Sequence, residues 1–148
     1  MIPALHPDSV AQLPTEAVKA LVQDQTIDIV TLGRKSGLPR TTEIWFTRIE
    51  DRIVICGTPG AGGDGGIRYN PRDWLANLKA HPKFWFCLKE SLEFCLPALA
   101  MEITDARARR EIFSHPATRW YQQQVSDLEA LHSRGPLVEV FFLADASC

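Results

Sequence analysis

Gly33-Arg34-Lys35-Ser36-Gly37-Leu38-Pro39-Arg40 places three cations, a hydroxyl and two glycines in one turn between two apolar, strand-like runs. Residues of these types can hold a phosphate. Glycine lets the backbone take φ > 0 and turn N–H groups toward an anion, Arg34, Lys35 and Arg40 add charge, and Ser36 adds a donor. A solvated basic hairpin turn has the same composition, because turns favour Gly, Pro and Ser for conformational reasons of their own.

The remaining charge does not extend this basic spot. The 148 residues carry a formal net charge of −2 and the sequence pI is about 6.1, so the turn suits a small anion better than a nucleic-acid polymer, and no nucleic-acid partner is expected. Cys56, Cys87, Cys95 and Cys148 contain no C-x-x-C pair, and the first two sit in apolar runs where cysteine packs as a small hydrophobe. The reading from spacing is therefore no disulfide and no metal, and His6, His81, His115 and His132 are scattered without H-E-x-x-H spacing. Asp28, Glu43 and Glu102 fall within strand runs and are expected on a solvent face or paired with arginine. Arg107, Arg109 and Arg110 read as a solvated helix face. No run approaches the roughly 18 apolar residues of a membrane span, and the first residues lack signal-peptide character, which gives a cytoplasmic expectation.

The elements that must position the turn follow from periodicity. Pro14-Thr15-Glu16 opens a helix with Ala17, Val18, Leu21 and Val22 as its apolar stripe, running to about Gln25. Residues 27–32 and 42–49 alternate as two strands of a hairpin, and a turn at Asp51-Arg52 leads to a third strand over 53–56. Residues 57–66 are glycine-rich. Gly60, Gly62 and Gly65 fit G-x-G-x-x-G, but such a run meets the pattern by chance and no helix opens on its last glycine, so it reads as a loop. Asn70-Pro71 starts a helix through Trp74, Leu75 and Leu78 to about Ala80, with Trp74 read as core. Strands follow over 84–88 and within 94–104, where Pro97 predicts an edge or bulge. Asp105 caps a helix through Phe113, a second helical stretch spans 117–132, and the last strand covers 137–143. About six antiparallel strands with peripheral helices predict one mainly-β domain over 1–148, a barrel or strongly bent sheet with an N-terminal helix.

Two segments in register resemble the deazaflavin-dependent nitroreductase family. One is Ile29-Val30-Thr31-Leu32-Gly33-Arg34-Lys35-Ser36-Gly37-Leu38-Pro39-Arg40-Thr41-Thr42, similar to the family's signature turn; the other is Asp73 to Pro82, similar to its W-x-x-N-L-x-A-x-P helix. The resemblance runs over about residues 27–104 and includes the closing Pro136-Leu137-Val138-Glu139-Val140 strand. It implies a split β-barrel of the FMN-binding type and use of the reduced deazaflavin coenzyme F-420. It also implies that Arg34, Lys35, Ser36 and Arg40 hold the cofactor phosphate and tail, and that Asn77 faces the cofactor pocket.

The sequence departs from the family at Gly57-Thr58-Pro59-Gly60, where many members have a Ser-Lys-Gly-Gly type loop; Thr58 takes the place of that contact without its lysine. Glu43 stands where the quinone-reducing members have proline. Residues 105–135, the family's substrate-contacting region, match no motif, and Trp120 and Tyr121 are candidates there by position, Tyr121 as a proton donor beside Tyr69 or solvent. The implied chemistry is hydride transfer to a quinone, nitroaromatic or enone-type acceptor, for which the protein aligns the partners and excludes water. An FMN-dependent oxidoreductase on the same barrel and a non-catalytic binder of a phosphorylated cofactor are the alternatives. The Phe84-Trp85-Phe86 strand supplies either a homodimer surface or core.

Overall fold

The computed structural model describes Val10, residues 13–57 and residues 73–143. Seven strands form one antiparallel sheet: β1 (Thr26–Leu32), β2 (Pro39–Trp45), β3 (Thr47–Ile49), β4 (Arg52–Cys56), β5 (Lys83–Leu88), β6 (Phe94–Glu102) and β7 (Leu137–Phe142). Their order is β2-β1-β5-β6-β7-β4-β3. The two edges of this sheet are consecutive in sequence, separated by Phe46 alone. One continuous run therefore pairs with β1 before Phe46 and with β4 after it, and the chain itself curls the sheet toward a barrel. This is the split barrel expected, and the expected strand over 42–49 is the one that divides at Phe46 to give the seventh. Phe46 is buried and donates its N–H to the Gln25 carbonyl at 2.9 Å, which fixes the bend.

Alternation sorts the side chains into two clusters. Ile27, Ile29, Ile53, Ile55, Phe84, Phe86, Val138, Val140 and Phe142 point inward, where Phe86 stands edge-on to both Phe46 and Phe142 at centroid distances of 5.3 and 5.1 Å. α1 (Thr15–Gln23) adds Ala17, Ala20 and Leu21, and α2 (Asp73–Ala80) adds Trp74 and Leu78, the core role read for Trp74. Val22, expected in the stripe of α1, is 66% exposed instead. A second cluster joins Ile49, Val54, Cys56 and Leu137 to Ile112, Phe113, Tyr121 and Leu131. Val54 and Cys56 alternate with the inward Ile53 and Ile55, so this cluster lies on the outer face, under α3 (Ala106–Ile112), α4 (Arg119–Gln123) and α5 (Leu128–Arg134).

Asp105 caps α3 as expected, its Oδ2 accepting from the Ala108 N–H at 2.9 Å. The helix expected over 117–132 is broken, because Asp127 Oδ1 accepts from the Glu129 and Ala130 N–H groups at 3.0 and 3.3 Å and starts α5 afresh. Pro97 lies in β6, an interior strand rather than an edge. Its carbonyl accepts from Leu143 N at 3.0 Å, so its own N faces the same side, beyond the last β6–β7 pair, Ala98↔Phe142. The absent N–H removes the reciprocal bond to the Leu143 carbonyl, and the β6–β7 pairing ends there.

Three readings of polar residues are corrected. Cys87 and Cys95 form a disulfide, because the β5–β6 register sets them directly opposite each other with Cα atoms 3.9 Å apart. Arg109 is buried, and its guanidinium donates to the carbonyls of His132, Ile103 and Gly135, tying α3 to α5 and to the ends of β6 and β7. Asp28, Glu43 and Glu102 reach solvent as expected, but the cation each pairs with is lysine rather than arginine: Lys89 Nζ bridges Asp28 and Glu43 at 2.9 and 2.7 Å, and Lys79 reaches Glu102 at 3.5 Å. The bidentate arginine pair is Arg52–Glu139, at 2.9 and 2.8 Å.

Candidate functional site

The basic turn begins where β1 and β2 stop pairing, at Leu32↔Pro39. Gly37 takes φ 72°, the left-handed conformation the sequence assigned to glycine, and its N–H donates to the Gly33 carbonyl at 2.8 Å. Gly33 N donates to the Leu38 carbonyl at 2.9 Å, and Leu38 N donates to Ser36 Oγ at 3.1 Å. Gly33 allows this closure, since a Cβ there would stand 2.7 Å from Ser36 Oγ. Four of the turn's amides, those of Gly33, Arg34, Gly37 and Leu38, are thus already committed. Among the described residues nothing accepts from the N–H groups of Lys35 and Ser36, a consecutive pair suited to an anion.

The fourth committed amide is held by another element. Asn77, on α2 and only 3% exposed, accepts from Arg34 N through Oδ1 at 3.0 Å. Trp74, about one turn earlier, and Leu78, the next residue, anchor α2 in the inner core and so aim Asn77 at the turn. A pocket of about 150 Å³ results, lined by Gly33, Arg34, Lys35, Ser36, Arg40 and Asn77. Five residues assigned to the cofactor by resemblance therefore meet at one place. Lys35 and Arg40 are exposed and have no ion-pair partner among the described residues, so their charge faces the pocket uncompensated. That donor set fits a phosphate.

Thr58, Tyr69 and most of the glycine-rich segment lie outside the described residues. Tyr121 does not line this pocket; it is buried in the outer cluster with Cys56 and Thr47 as hydrogen-bond partners. Burial, and then the neighbouring thiol, push its phenol well above the ordinary tyrosine range. Trp120 is 49% exposed and packs edge-on against Trp45 at 5.2 Å, on the same outer layer. None of residues 105–135 lines the pocket. One further residue had no distinct signal in the sequence: Thr31, whose buried hydroxyl has no partner among the described residues and which sits opposite Arg40 in the register.

Fold and pocket together define a split-barrel protein with a basic pocket at one end of its first hairpin. The fold recurs in a structure described as an F420 reductase, at 14% identity over 88% of this chain and 96% of that one, with a TM-score of 0.56. It recurs also in a NimC/NimA family protein from Clostridium acetobutylicum (11% identity, 93% and 84% coverage, TM-score 0.57) and in a heme-binding protein from Mycobacterium smegmatis (12%, 92% and 57%, TM-score 0.53). Such distant likenesses establish the barrel and nothing finer. The sequence itself decides the family: residues 8–130 match the F420H(2)-dependent quinone reductase family, and the chain belongs to it. Its cofactor is coenzyme F-420, and it is an oxidoreductase that carries out reduction with that coenzyme. Among the described residues no helix is long and apolar enough to cross a membrane.

Proposed function

We propose that this chain binds reduced F-420 by its phosphate and acidic tail in the cradle of Arg34, Lys35, Ser36, Arg40 and Asn77, and reduces a quinone, with nitroaromatic and enone-type acceptors as substitutes. The convergence of those five side chains on one pocket carries the reading. Lys35 and Arg40 offset the ligand's charge, the Lys35 and Ser36 amides and the Ser36 hydroxyl donate to phosphate oxygens, and Asn77 keeps the turn in register with α2. When bound, the deazaflavin supplies a hydride. No side chain need act as nucleophile, and with the Tyr121 hydroxyl occupied under the outer helices the proton for the reduced acceptor comes from Tyr69 or solvent. FMN, held by its single phosphate in the same cradle, is the competing reading. The reaction belongs in the cytoplasm, and two copies of the chain form the assembly. Phe84 and Phe86 belong to the inner core and supply no surface for it.

Parallel titrations of wild type and Lys35→Ala with F-420 and FMN test the cradle. Tight F-420 binding, weakened roughly tenfold or more in the variant, is expected for a lost charge-assisted contact. Preference for FMN, or equal F-420 affinity in both proteins, would overturn it. Oxidation of reduced F-420 by a naphthoquinone, a nitroaromatic and a cyclic enone then ranks the acceptors, and sedimentation of a monomer at micromolar concentration would remove the dimer.

A further inference from the structure

On the outer face, away from the cradle, one row of the sheet runs Glu43–Asp28–Cys87–Cys95 across β2, β1, β5 and β6. The disulfide in this row is asymmetric. Cys87 is buried at 9% exposure, whereas Cys95 is an exposed residue, so the bond presents its Cys95 side to solvent. The hairpin that the disulfide closes does work at its tip. Glu90 Oε1 accepts from the N–H groups of Gln25 and Thr26 at 2.6 and 3.0 Å, and Asp24 Oδ2 accepts from Ser91 N and Oγ at 3.1 and 2.9 Å. The tip therefore clamps the junction of α1 and β1. The two amides also hold the Glu90 carboxyl below the usual carboxylate range.

We propose that Cys95 is a thiol-exchange site, at which a low-molecular-weight thiol opens the Cys87–Cys95 bond and releases the clamp. The thiolate attacks Cys95 Sγ along the S–S axis, a mixed disulfide forms on Cys95, and the electron pair of the broken bond leaves on Cys87 Sγ, which takes a proton from water. A second thiol then attacks the mixed disulfide. The protein gains two electrons and two protons as a dithiol, and the two small thiols leave as their own disulfide. Charge sets the thiol class. Asp28, Glu43, Glu90 and Glu93 outnumber Lys83 and Lys89 around this hairpin, so neutral or cationic thiols react in preference to anionic ones. Cys56 has no part in this chemistry, because it is buried under the outer helices.

Peptide mapping tests the site on intact protein purified without reductant. Trypsin separates Cys87, in residues 84–89, from Cys95, in residues 90–107, and both from Cys56 and Cys148. The linked pair of peptides is expected at the start. Brief exposure of the folded protein to 2-mercaptoethanol, followed by alkylation, is expected to give the adduct on 90–107 and an alkylated Cys87. Per unit of thiolate, 3-mercaptopropionate is expected to react several-fold more slowly, with the gap narrowing in high salt. Amide exchange at Gln25, Thr26 and Ser91 is expected to quicken in the opened form. Absence of the linked pair, an adduct on Cys87, or opening only after denaturation would each overturn the proposal. A Cys95→Ser protein that exchanges as slowly at Gln25 and Thr26 as the disulfide form would overturn the clamp.

Discussion

Asn77 Oδ1 accepts from the backbone N–H of Arg34 at 3.0 Å, so the helix that follows the undescribed segment holds the first cation of the cradle by its main chain. Asn77 then acts on an anion through the turn, in addition to standing in the pocket wall. Asn77→Ala removes the bond that Asn77 accepts from the Arg34 amide, a loss of about 1–2 kcal/mol, which corresponds to roughly a tenfold rise in the F-420 Kd. Asn77→Asp keeps an acceptor but sets a carboxylate beside the phosphate, so its weakening should fall with added salt only in that variant. Fluorescence titration at two salt concentrations checks both. Unchanged affinity in Asn77→Ala would show that the turn holds its shape without α2.

The two glycines of the turn separate into different kinds of constraint. A Cβ at Gly37 would meet nothing within 4 Å, so its φ of 72° is the whole difficulty. Gly37→Ala is expected to destabilise the protein by about 1 kcal/mol, while Gly37→Asn, which tolerates the left-handed region, retains most of the stability and affinity. Gly33→Ala instead drives Ser36 Oγ away from Leu38 N and should cost affinity with little loss of stability, because the displaced side chain is exposed. Thermal melts with and without F-420 distinguish these outcomes. A Gly33→Ala protein with wild-type affinity would remove Ser36 from the cradle.

Much of this was legible in the residues, and what was missed has physical causes. The alternation at 27–32, the apolar strand at 53–56, the Asp105 cap and the glycine at φ 72° are local properties, and each appears where the residues put it. The disulfide was not legible, since Cys87 and Cys95 meet only through the register of β5 and β6. Arg109 misled for a similar reason: its neighbours Arg107 and Arg110 are exposed, and only the packing of α5 over α3 shows why the middle member of the run is buried. Phe46 carries no sign in its own type that a strand changes partners there. In the site, residue types marked the basic turn, while the partner of Asn77 required the fold to bring α2 back onto β1.

Arg109 provides a stability test with no expected effect on binding. Arg109→Met keeps an apolar stem against Phe113 but leaves the carbonyls of Ile103, His132 and Gly135 without their donor. A loss of about 3 kcal/mol is expected in urea unfolding, with an unchanged F-420 Kd for the protein that remains folded. A matching loss of affinity would mean that the outer helical layer and the cradle are coupled.

The buried Cys56–Tyr121 pair sets the alkaline limit of stability. Burial pushes the Cys56 thiol from 9.0 up to about 12, with hydrogen bonds from Tyr121 and Thr47 offsetting part of the shift, and the Tyr121 phenol is raised as well. Both groups are neutral when protonated, so the folded chain holds its protons more tightly than the unfolded one. Their contribution is whole below the unfolded thiol value and is lost as pH rises through the folded one. Between pH 8 and about pH 10.5 the thiol alone should remove about 2 kcal/mol of stability. Urea unfolding at the two pH values should therefore show a smaller alkaline loss in Cys56→Ala than in wild type, even though the truncation lowers stability at both. Equal losses would mean that the thiol is already ionised or solvated in the folded protein, and the outer cluster would then not be the dry layer that its burial describes.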